Sequence, residues 1–302
     1  MQNFTPTNFG RDNQLRTRMW VTMLLLGGVY GLFVWVLWGL GYTPWLVAVG
    51  LLVLVQLWLS DKMVLYAMRA KVVDEAAYPR LHAMVAELAM GAGIPKPKVA
   101  VSQMSAPNAF ATGRSVKGAT VAVTTGLMDL LDERQLRAVL AHEISHIRTR
   151  DVVVMTYASF FSMVAATLMS WLFWSSLFGG MRRRSNDNSG NVMMLVYLVT
   201  IVVWFVSQLL VAALSRYREY AADRGAAVLT REPLALASAL QRIQGGLSGV
   251  PRTDLRKAGS ANAFFIMPAV GDGFASLFST HPTMERRILR LQEMERQLKQ
   301  LG

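Results

Sequence analysis

The sequence predicts a mainly α-helical membrane protein, in which four hydrophobic helices carry a water-exposed α+β domain with a small β-sheet. Of the 302 residues, 53% are hydrophobic and only 17% are charged, well below the roughly one quarter of charged residues in soluble domains. Residues 19–60, 152–181 and 188–215 contain no Asp, Glu, Lys or Arg. Residues 63–151 and 216–302 have an ordinary soluble composition, so we expect one globular domain assembled from these two segments.

The first uncharged run is long enough for two membrane spans, because one span needs about 20 apolar residues. Gly41 and Pro44 interrupt the run, so residues 19–62 are predicted to form a transmembrane hairpin behind a basic amino-terminal segment, residues 1–18. A cleaved signal peptide is the alternative, but the run is too long and a second span follows at once. Basic residues flank the hairpin and are absent from its turn, which favours a cytoplasmic position for both ends.

Residues 152–215 are predicted to form a second hydrophobic hairpin, inserted between the two segments of the globular domain. Its arms, about 152–178 and 192–214, are joined by a loop that carries three consecutive arginines at 182–184. These arginines oppose the positive-inside rule if the first arm starts in the cytoplasm. The hairpin either crosses the membrane against this bias or dips into the bilayer without crossing, and the sequence leaves both alternatives open.

The net charge points to a lipid surface as a partner. A formal charge of +12 fits a protein that lies against anionic lipid, where each basic residue gains about 1 kcal/mol. Nucleic acid is the rival partner, but no basic run is interleaved with aromatic residues and no nucleic-acid motif is present, so we expect none. The chain has no cysteine, which excludes disulfides and cysteine-ligated metal.

The first soluble segment alternates helix and strand patterns. The stretch "AYPRLHAMVAELAMGAGI" has apolar residues at helical spacing and is predicted to end near Gly91. Two strands, "PKVAVSQ" and "ATVAVTTG", follow and are joined by "APNAFATGRSVKG". The stretch "MDLLDERQLRAVLAHEISHIR" is then predicted to be helical, with Asp132 as a plausible N-cap.

The second soluble segment is predicted to be mostly helical. Helices cover "YREYAADRGAAVLT", which continues the last apolar run, and "LALASALQRI". Residues 248–280 are rich in Gly, Pro and Ser and are expected to form loops. An amphipathic helix ends the chain, with Ile288, Leu291 and Met294 on one face.

The stretch "AVLAHEISHIRTRD" contains His142 and His146, two of only four histidines in the chain. Four residues apart on a helix, they share one face at a rise of about 6 Å, so their imidazoles can converge on one metal ion. A catalytic zinc site has three protein ligands and keeps one position for water. Glu143 is placed to take a proton from that water, as in the H-E-x-x-H arrangement. The alternative is that the two histidines merely face solvent or the core.

A third ligand has to come from elsewhere in the chain. His82, His281 or any acidic residue can serve, but Glu219 is the best candidate, because it follows an apolar run that mirrors the one after the histidine helix. A hairpin that brings the two runs together would place Glu219 near His146.

Asp223 lies one helical turn beyond Glu219. There its carboxylate can accept a hydrogen bond from the second ring nitrogen of a ligand histidine and fix the tautomer. The alternative for this acidic pair is a solvated face with Arg216 and Arg218 as partners.

Four motifs, "NAFATG", "AHEISH", "SRYREYAADR" and "THPTMERRI", occur in this order and are separated by hydrophobic hairpins. The chain thereby resembles the HtpX family of bacterial membrane zinc metalloproteases, which is related to the CAAX-prenyl protease of eukaryotes. The resemblance covers essentially the whole chain. It implies a zincin-type metalloprotease domain with its active site open to the cytoplasm, in a multi-pass protein of the bacterial cytoplasmic (inner) membrane. It further implies that the substrates are damaged or misassembled membrane proteins and unfolded polypeptides, with a role in membrane quality control.

The resemblance also implies the roles of the site residues. His142, His146 and Glu219 would bind one zinc ion per chain, Glu143 would act as general base, and Asp223 would support a ligand histidine. Peptide hydrolysis would then be metal-assisted, with Glu143 passing a proton from water to the leaving amine.

Two further hypotheses concern the substrate. His281 is our candidate donor to the tetrahedral oxyanion, against the alternative of a structural histidine before a proline turn. The "PNAFATG" stretch can offer an edge strand to which an extended substrate adds, lined by Asn108, Ala109, Phe110 and Ala111. The alternative for this stretch is an ordinary hairpin connection.

The same residues argue against other functions. A membrane scaffold or chaperone-like factor would keep the metal helix without needing Glu143, but the presence of Glu143, Glu219 and His281 argues against it. A transporter is disfavoured because the apolar runs contain no intramembrane charge. Prenyl-CAAX processing is the alternative within the enzyme class, but its larger membrane chamber needs more spans than the four predicted here.

Overall fold

The fold is that of a computed structural model, which describes residues 13–39, 64–178, 189–248 and 281–300 together with a few isolated positions between 41 and 62. Most of the second arm of the first hairpin, the loop with the three arginines and residues 249–280 of the segment predicted as loops lie outside the described residues. The helices are α1 (Asn13–Gly39), α2 (Pro79–Ala92), α3 (Thr125–Leu130), α4 (Glu133–Thr149), α5 (Asp151–Phe178), α6 (Ser189–Thr230), α7 (Pro233–Ser248) and α8 (Met284–Lys299). The strands are β1 (Ala70–Val72), β2 (Lys98–Ser102), β3 (Ala109–Thr112) and β4 (Thr120–Thr124).

Three long apolar helices, α1, α5 and α6, pack together into a bundle. Phe33 of α1, Leu168 of α5 and Val203 of α6 are buried in one cluster. The Tyr30 hydroxyl donates a 2.6 Å hydrogen bond to the Ala158 carbonyl and so ties α1 to α5. By length and hydropathy, α1 and the Met194–Thr230 part of α6 can each cross a membrane. Large apolar side chains are exposed on the outer faces of both helices, as lipid-facing positions require.

The helix α6 joins the apolar bundle to the globular domain without a break. It runs for 42 residues from the uncharged run into "YREYAADRG", which confirms that this stretch continues the last apolar run as one helix. The α5 and α6 helices lie side by side, as the predicted hairpin requires. The two halves of the globular domain are therefore connected through helices that start or end in the bundle.

A small mixed sheet stands beside the helices of the globular domain. Its strand order is β1-β2-β4-β3, with β2 and β4 parallel and both outer pairs antiparallel. Val99 and Val121 point towards the core under α2 and α4, whereas Ala100, Phe110 and Ala122 pack on the opposite face. The two predicted strands are thus β2 and β4, and β3 forms an edge of the sheet within the joining segment.

Helix boundaries follow local chain chemistry. The α2 helix ends at Ala92 because Gly93 takes a left-handed conformation with φ of 68°, which glycine adopts without steric cost. The predicted N-cap Asp132 is confirmed, and it forms a capping box with Gln135. The single helix predicted around it is split, because Leu131 is extended and ends α3 before α4 begins.

The carboxyl-terminal helices complete the core. The α7 helix packs against α4, and α8 packs against both α6 and α7. Leu291 of α8 is fully buried, and Ile288 and Met294 are partly buried against the same core, which confirms the predicted apolar face. This packing brings the start of α8 to the polar face of α4.

Candidate metal centre

The α4 helix is the central element of the site and is buried along most of its length. Its apolar face carries Ala138, Ile144 and other fully buried residues into the main core. Polar contacts fix its position, because Gln135 donates to Ser238 of α7 and Arg137 forms an ion pair with Glu87 of α2. The other face of α4 presents His142 and His146 towards α6.

The two histidines and Glu219 converge on one point. The Nε2 atoms of His142 and His146 lie 3.1 Å apart. Glu219 Oε2 is 3.6 Å from His142 Nε2, and Glu219 Oε1 is 3.5 Å from His146 Nε2. His142 and Glu219 are buried and His146 is nearly so, which contradicts both the solvated face proposed for Glu219 and an outward orientation of the histidines.

Each histidine has a carboxylate on its other ring nitrogen. His142 Nδ1 lies 3.0 Å from Asp223 Oδ1, and His146 Nδ1 lies 2.6 Å from Asp151 Oδ2. A carboxylate accepts from an N–H, so these contacts favour the proton on Nδ1 of both rings. The lone pairs of the two Nε2 atoms then point towards each other and towards Glu219.

This donor set fits a zinc ion. Two ligands at 2.0–2.1 Å from a tetrahedral ion lie about 3.3–3.4 Å apart, close to the observed spacings of 3.1, 3.5 and 3.6 Å. Within the described residues, His142, His146 and Glu219 form a group that can hold a metal ion. Each of them offers one ligand atom, and these three atoms all lie within 4.8 Å of one another. Two imidazole nitrogens and a buried carboxylate at these distances are a donor set that one divalent cation can bridge.

Arg287 of α8 closes the site from the carboxyl-terminal side. It is almost fully buried, and its Nε and Nη2 atoms donate to the two carboxylate oxygens of Asp223 at 2.9 and 2.6 Å. Its Nη1 lies 3.3 Å from Glu219 Oε2. Although burial disfavours its charge, the two carboxylates raise the pKa of Arg287, so the guanidinium stays charged.

A second buried network lies where α4 meets α5. Asp151, the first residue of α5, contacts His146 and forms an ion pair with Arg218 of α6. Arg218 also donates to the Thr149 carbonyl at 3.3 Å. This network connects the metal helix to both arms of the second apolar hairpin.

Burial changes the acid–base properties of the site. Burial raises the pKa of Glu143, which has only 4% of its surface exposed, while the neighbouring His142 and His146 oppose that shift. For His142, burial alone lowers the pKa, but the carboxylates of Asp223 and Glu219 outweigh it and the pKa is raised. Glu143 is thus a weaker acid than an exposed glutamate and a better proton acceptor near neutral pH.

The remaining two histidines differ in position. His281 Nδ1 lies 3.4 Å from Glu219 Oε2, so this residue borders the candidate ligand set. His82 is buried on α2, with its Nε2 3.1 Å from the Val73 carbonyl oxygen, and is not part of the set.

The segment proposed for substrate binding lies at the edge of the sheet, next to α4. Asn108 is fully buried and is joined to Thr124, whose amide donates to the Asn108 carbonyl at 2.9 Å. The Phe110 side chain is anchored in the cluster on the far face of the sheet. In an antiparallel pair hydrogen-bonded positions alternate, so Ala109 and Ala111 direct their backbone groups away from β4.

Sequence reasoning missed three polar residues of this centre, namely Asp151, Arg218 and Arg287. Arg287 stands within the "THPTMERRI" motif and Asp151 ends the "AVLAHEISHIRTRD" stretch, so both lay inside segments already singled out. The sequence predicts Arg218 only as a solvated partner of the acidic pair, whereas it is buried against Asp151. No local spacing rule signals a partner on another helix.

Comparisons with known proteins agree with this centre. The profile of peptidase family M48 matches residues 75–295. The chain is 48% identical over 295 residues to a protein named "Protease HtpX homolog" from Moorella thermoacetica, covering 96% of this chain and 98% of the relative. It is 48% identical over 291 residues to "Protease HtpX homolog 2" from Methanosarcina mazei, covering 95% and 98%. It is 45% identical over 297 residues to "Protease HtpX homolog 1" from Streptomyces coelicolor, covering 97% and 96%.

A solved structure shares the fold. The crystal structure of Ste24p from S. mikatae aligns with a TM-score of 0.51 at 18% sequence identity, covering 91% of this chain and 67% of that chain.

Proposed function

Because this chain belongs to peptidase family M48 and is a metallopeptidase of the HtpX type, we propose that it is a zinc-dependent endopeptidase that hydrolyses misfolded or damaged membrane proteins. The resemblance to the HtpX family is confirmed by the relatives. Relatives named as HtpX homologs occur in Moorella and in Methanosarcina, so the family is not confined to bacteria. The single observation that carries the zinc assignment is the convergence of His142 Nε2, His146 Nε2 and the Glu219 carboxylate.

We assign the ligand roles to His142, His146 and Glu219, for one zinc ion per chain. A zinc ion held there would supply a Lewis acid that polarises a carbonyl and lowers the pKa of water towards 7. Asp223 and Asp151 hold the ligand histidines in the tautomer that leaves Nε2 available, through contacts of 3.0 and 2.6 Å. The second contact adds Asp151 to the roles expected from the sequence.

Glu143 is the proposed general base. It adjoins His142 in the chain and is buried, and its raised pKa places its proton affinity nearer the operating pH than that of an exposed glutamate. In this role it accepts the proton of the attacking water and then gives it to the leaving amine.

His281 is the proposed donor to the oxyanion. Its position 3.4 Å from Glu219 Oε2 supports a role beside the reacting carbonyl. The nearby guanidinium of Arg287 is engaged by the carboxylates of Asp223 and Glu219. We expect His281→Ala to retain zinc and lose proteolysis, whereas unchanged turnover would remove His281 from the mechanism.

An extended substrate is proposed to pair with β3. The outward backbone groups of Ala109 and Ala111 support strand addition, and recognition of backbone rather than side chains suits an enzyme that acts on many damaged proteins. Asn108 and Phe110 contribute by fixing the strand, because the first is bonded to Thr124 and the second is anchored in the core.

The position of the centre supports access from a membrane. The α5 helix starts directly after α4, and α6 runs from an apolar span to Glu219. The basic residues around the first hairpin favour a cytoplasmic site, so we propose a multi-pass protein of the cytoplasmic membrane whose active site faces the cytoplasm. Membrane quality-control factors are the expected partners.

The test is proteolysis of an unfolded, lipid-free polypeptide by the full-length protein in a neutral detergent. We expect cleavage to stop after chelation and to return when zinc is added back. Cleavage that survives complete removal of metal would contradict the proposed function.

A further inference from the structure

A basic groove lies at the ends of α2 and α4, beside the first turn of α5. Its volume is about 930 Å³, and its walls are residues 90–95, residues 114–117, Arg148, Arg150 and Val153. Four of these residues are cations, namely Arg114, Lys117, Arg148 and Arg150, and none of the described lining residues is acidic. Four like charges around one groove repel each other, so an anion that enters it is stabilised.

The four charges come from two separate parts of the fold. Arg148 and Arg150 stand at the carboxyl end of α4, where cations are favoured by the helix dipole, but Arg114 and Lys117 come from the connection between β3 and β4. Arg150 has a φ of 56°, a left-handed conformation that glycine adopts more readily.

One end of the groove adjoins the start of an uncharged segment of the chain. Val153 belongs to the first turn of α5, and the chain from 152 to 181 has no charged residue. The lining also includes Met90, whose surface is 76% exposed, and the half-buried Ile94. Apolar and cationic side chains side by side are typical of surfaces that lie at the membrane interface.

The groove is separated from the metal centre. A small cavity shares Ser115, Val116, Arg150 and Val153 with the groove and reaches His146, but its volume is only about 10 Å³. A single water molecule needs about that much space, so a peptide cannot pass from the groove to the ligands by this route. This separation favours a lipid over a substrate peptide as occupant.

We propose that the groove binds the phosphate-bearing headgroup of an anionic phospholipid. The cations of the β3–β4 connection and of the α4 carboxyl end contact the phosphate, while Met90 and Val153 face the adjoining acyl region. The inference goes beyond the proposed proteolysis and is tested by binding alone, so its failure and that of the peptidase assignment are distinguishable.

The experiment titrates phosphatidylglycerol into the full-length protein in a neutral detergent and counts bound lipid by native mass spectrometry. We expect saturable binding that is about fivefold weaker for each cation removed from the groove. Arg150→Gly removes a charge while relieving the left-handed backbone, so it should bind less lipid without loss of fold. Its matched control is Arg231→Gly, at an exposed residue with φ of 57° outside the groove, which should bind as wild type.

A second pair of variants lies outside α4, so a structural change in that helix cannot explain their effect on lipid binding. Arg114→Gln/Lys117→Gln should weaken phosphatidylglycerol binding about 25-fold, whereas Lys71→Gln/Arg80→Gln removes the same charge from exposed residues outside the groove and should change nothing. If both double variants lost phosphatidylglycerol binding equally, the proposal would be overturned, because the lipid would then respond to the overall surface charge and not to the groove. Displacement of the lipid by inorganic phosphate at equal concentration would also overturn it, because the site would then be one for free phosphate. Unchanged lipid binding in Arg114→Gln/Lys117→Gln with slower cleavage of acidic peptides would identify a peptide subsite instead.

Discussion

At the scale of single residues, the site depends on carboxylates that each act on a different partner. Glu219 faces the two Nε2 atoms, Asp223 and Asp151 contact the Nδ1 atoms, and Glu143 is the proposed base. The environments differ accordingly, since Asp223 has a buried arginine beside it and burial dominates at Glu143. Four acidic side chains in one centre can therefore have separate roles.

The pH dependence of catalysis follows from the environment of Glu143. Its pKa is raised above the ordinary value of 4.5, chiefly by burial. A base must be deprotonated to act, so kcat/KM should fall as the pH drops through that raised pKa, above pH 4.5. A profile of kcat/KM against pH checks this. As a control, Glu75→Gln alters an exposed carboxylate that pairs with Lys96 away from α4, and it should leave the profile unchanged. An acidic limb at or below 4.5 would contradict the assignment.

The Asp223–Arg287 pair should be important for both folding and metal binding. Asp223→Ala leaves a buried guanidinium without its two-point partner, which typically costs about 3–5 kcal/mol. It also removes the hydrogen-bond partner of His142, and we expect zinc affinity to fall about 10–100-fold. Thermal unfolding and zinc titration measure the two effects. Glu232→Ala, which breaks an exposed pair with Arg134, should alter neither. Wild-type values for Asp223→Ala would refute this role.

The predictability of these residues depended on how local their signal is. His142, Glu143 and His146 form one five-residue pattern, so the sequence alone identifies them. The prediction of Glu219 and Asp223 depended on an assumption about which apolar runs pair, and the family resemblance supported that assumption. Asp151 and Arg287 were not predicted. No spacing rule indicates a buried partner on another helix, and in the sequence Arg287 looks like any basic residue of an amphipathic helix.

At the scale of elements, one threonine ties the proposed substrate strand to the rest of the sheet. Thr124 Oγ1 accepts from the amides of Asn108 at 2.9 Å and Leu127 at 3.2 Å. It thereby fixes the start of β3 and caps α3. The register of β3, and with it the orientation of Ala109 and Ala111, depends on this side chain.

Loss of that hydroxyl should loosen the strand. Thr124→Ala leaves two buried amides without acceptors, and we expect a loss of stability of about 1–3 kcal/mol together with a higher KM for an extended peptide. Thr124→Ser keeps the hydroxyl and should preserve both. Thermal unfolding and steady-state kinetics on the two variants provide the measurement. An unchanged KM in a destabilised Thr124→Ala would disconnect β3 from substrate binding.

Elements with a strong periodic pattern were predictable, and short ones were not. The helices α2, α4, α7 and α8 and the strands β2 and β4 follow apolar periodicity over at least five residues. The three-residue strand β1 is too short to show a period and is largely exposed. The break between α3 and α4 was missed because the apolar pattern continues across Leu131, while its backbone is extended.

At the scale of the whole molecule, the candidate metal site joins parts that are distant in sequence. His142 and His146 belong to the first soluble segment, whereas Glu219 belongs to the end of a helix that starts in the apolar bundle. Arg287 then connects α8 to the same carboxylates. A bound ion would therefore stabilise the assembled domain and not only one helix.

Removal of metal should lower the stability of the protein as a whole. By mass action, a ligand at about 100 times its Kd stabilises the native state by about 2.7 kcal/mol, which is lost on chelation. We expect a lower Tm in the presence of a chelator and its recovery with zinc. Glu219→Gln, which keeps the side-chain size but removes the ligand charge, should show a much smaller response. An identical Tm with and without metal would contradict the assembly role.

The large-scale plan was predictable because composition changes sharply along the chain. Uncharged runs separate two soluble segments, and both segments contribute to one core, which contains Val99 and Leu140 from the first and Leu240 from the second. The path of the chain through a membrane depends on lipid contacts, which a sequence records only as hydropathy and charge. The charge pattern around the second hairpin gives conflicting signals for that reason.

The most direct test of the central claim compares the wild type with Glu143→Gln, in detergent, for zinc content and for cleavage of an unfolded polypeptide. The substitution removes the proposed base and leaves His142, His146 and Glu219 in place. We predict about one zinc per chain in both proteins, with cleavage by the wild type alone. Equal cleavage by both, or zinc bound by neither, would contradict a zinc peptidase in which Glu143 is the base.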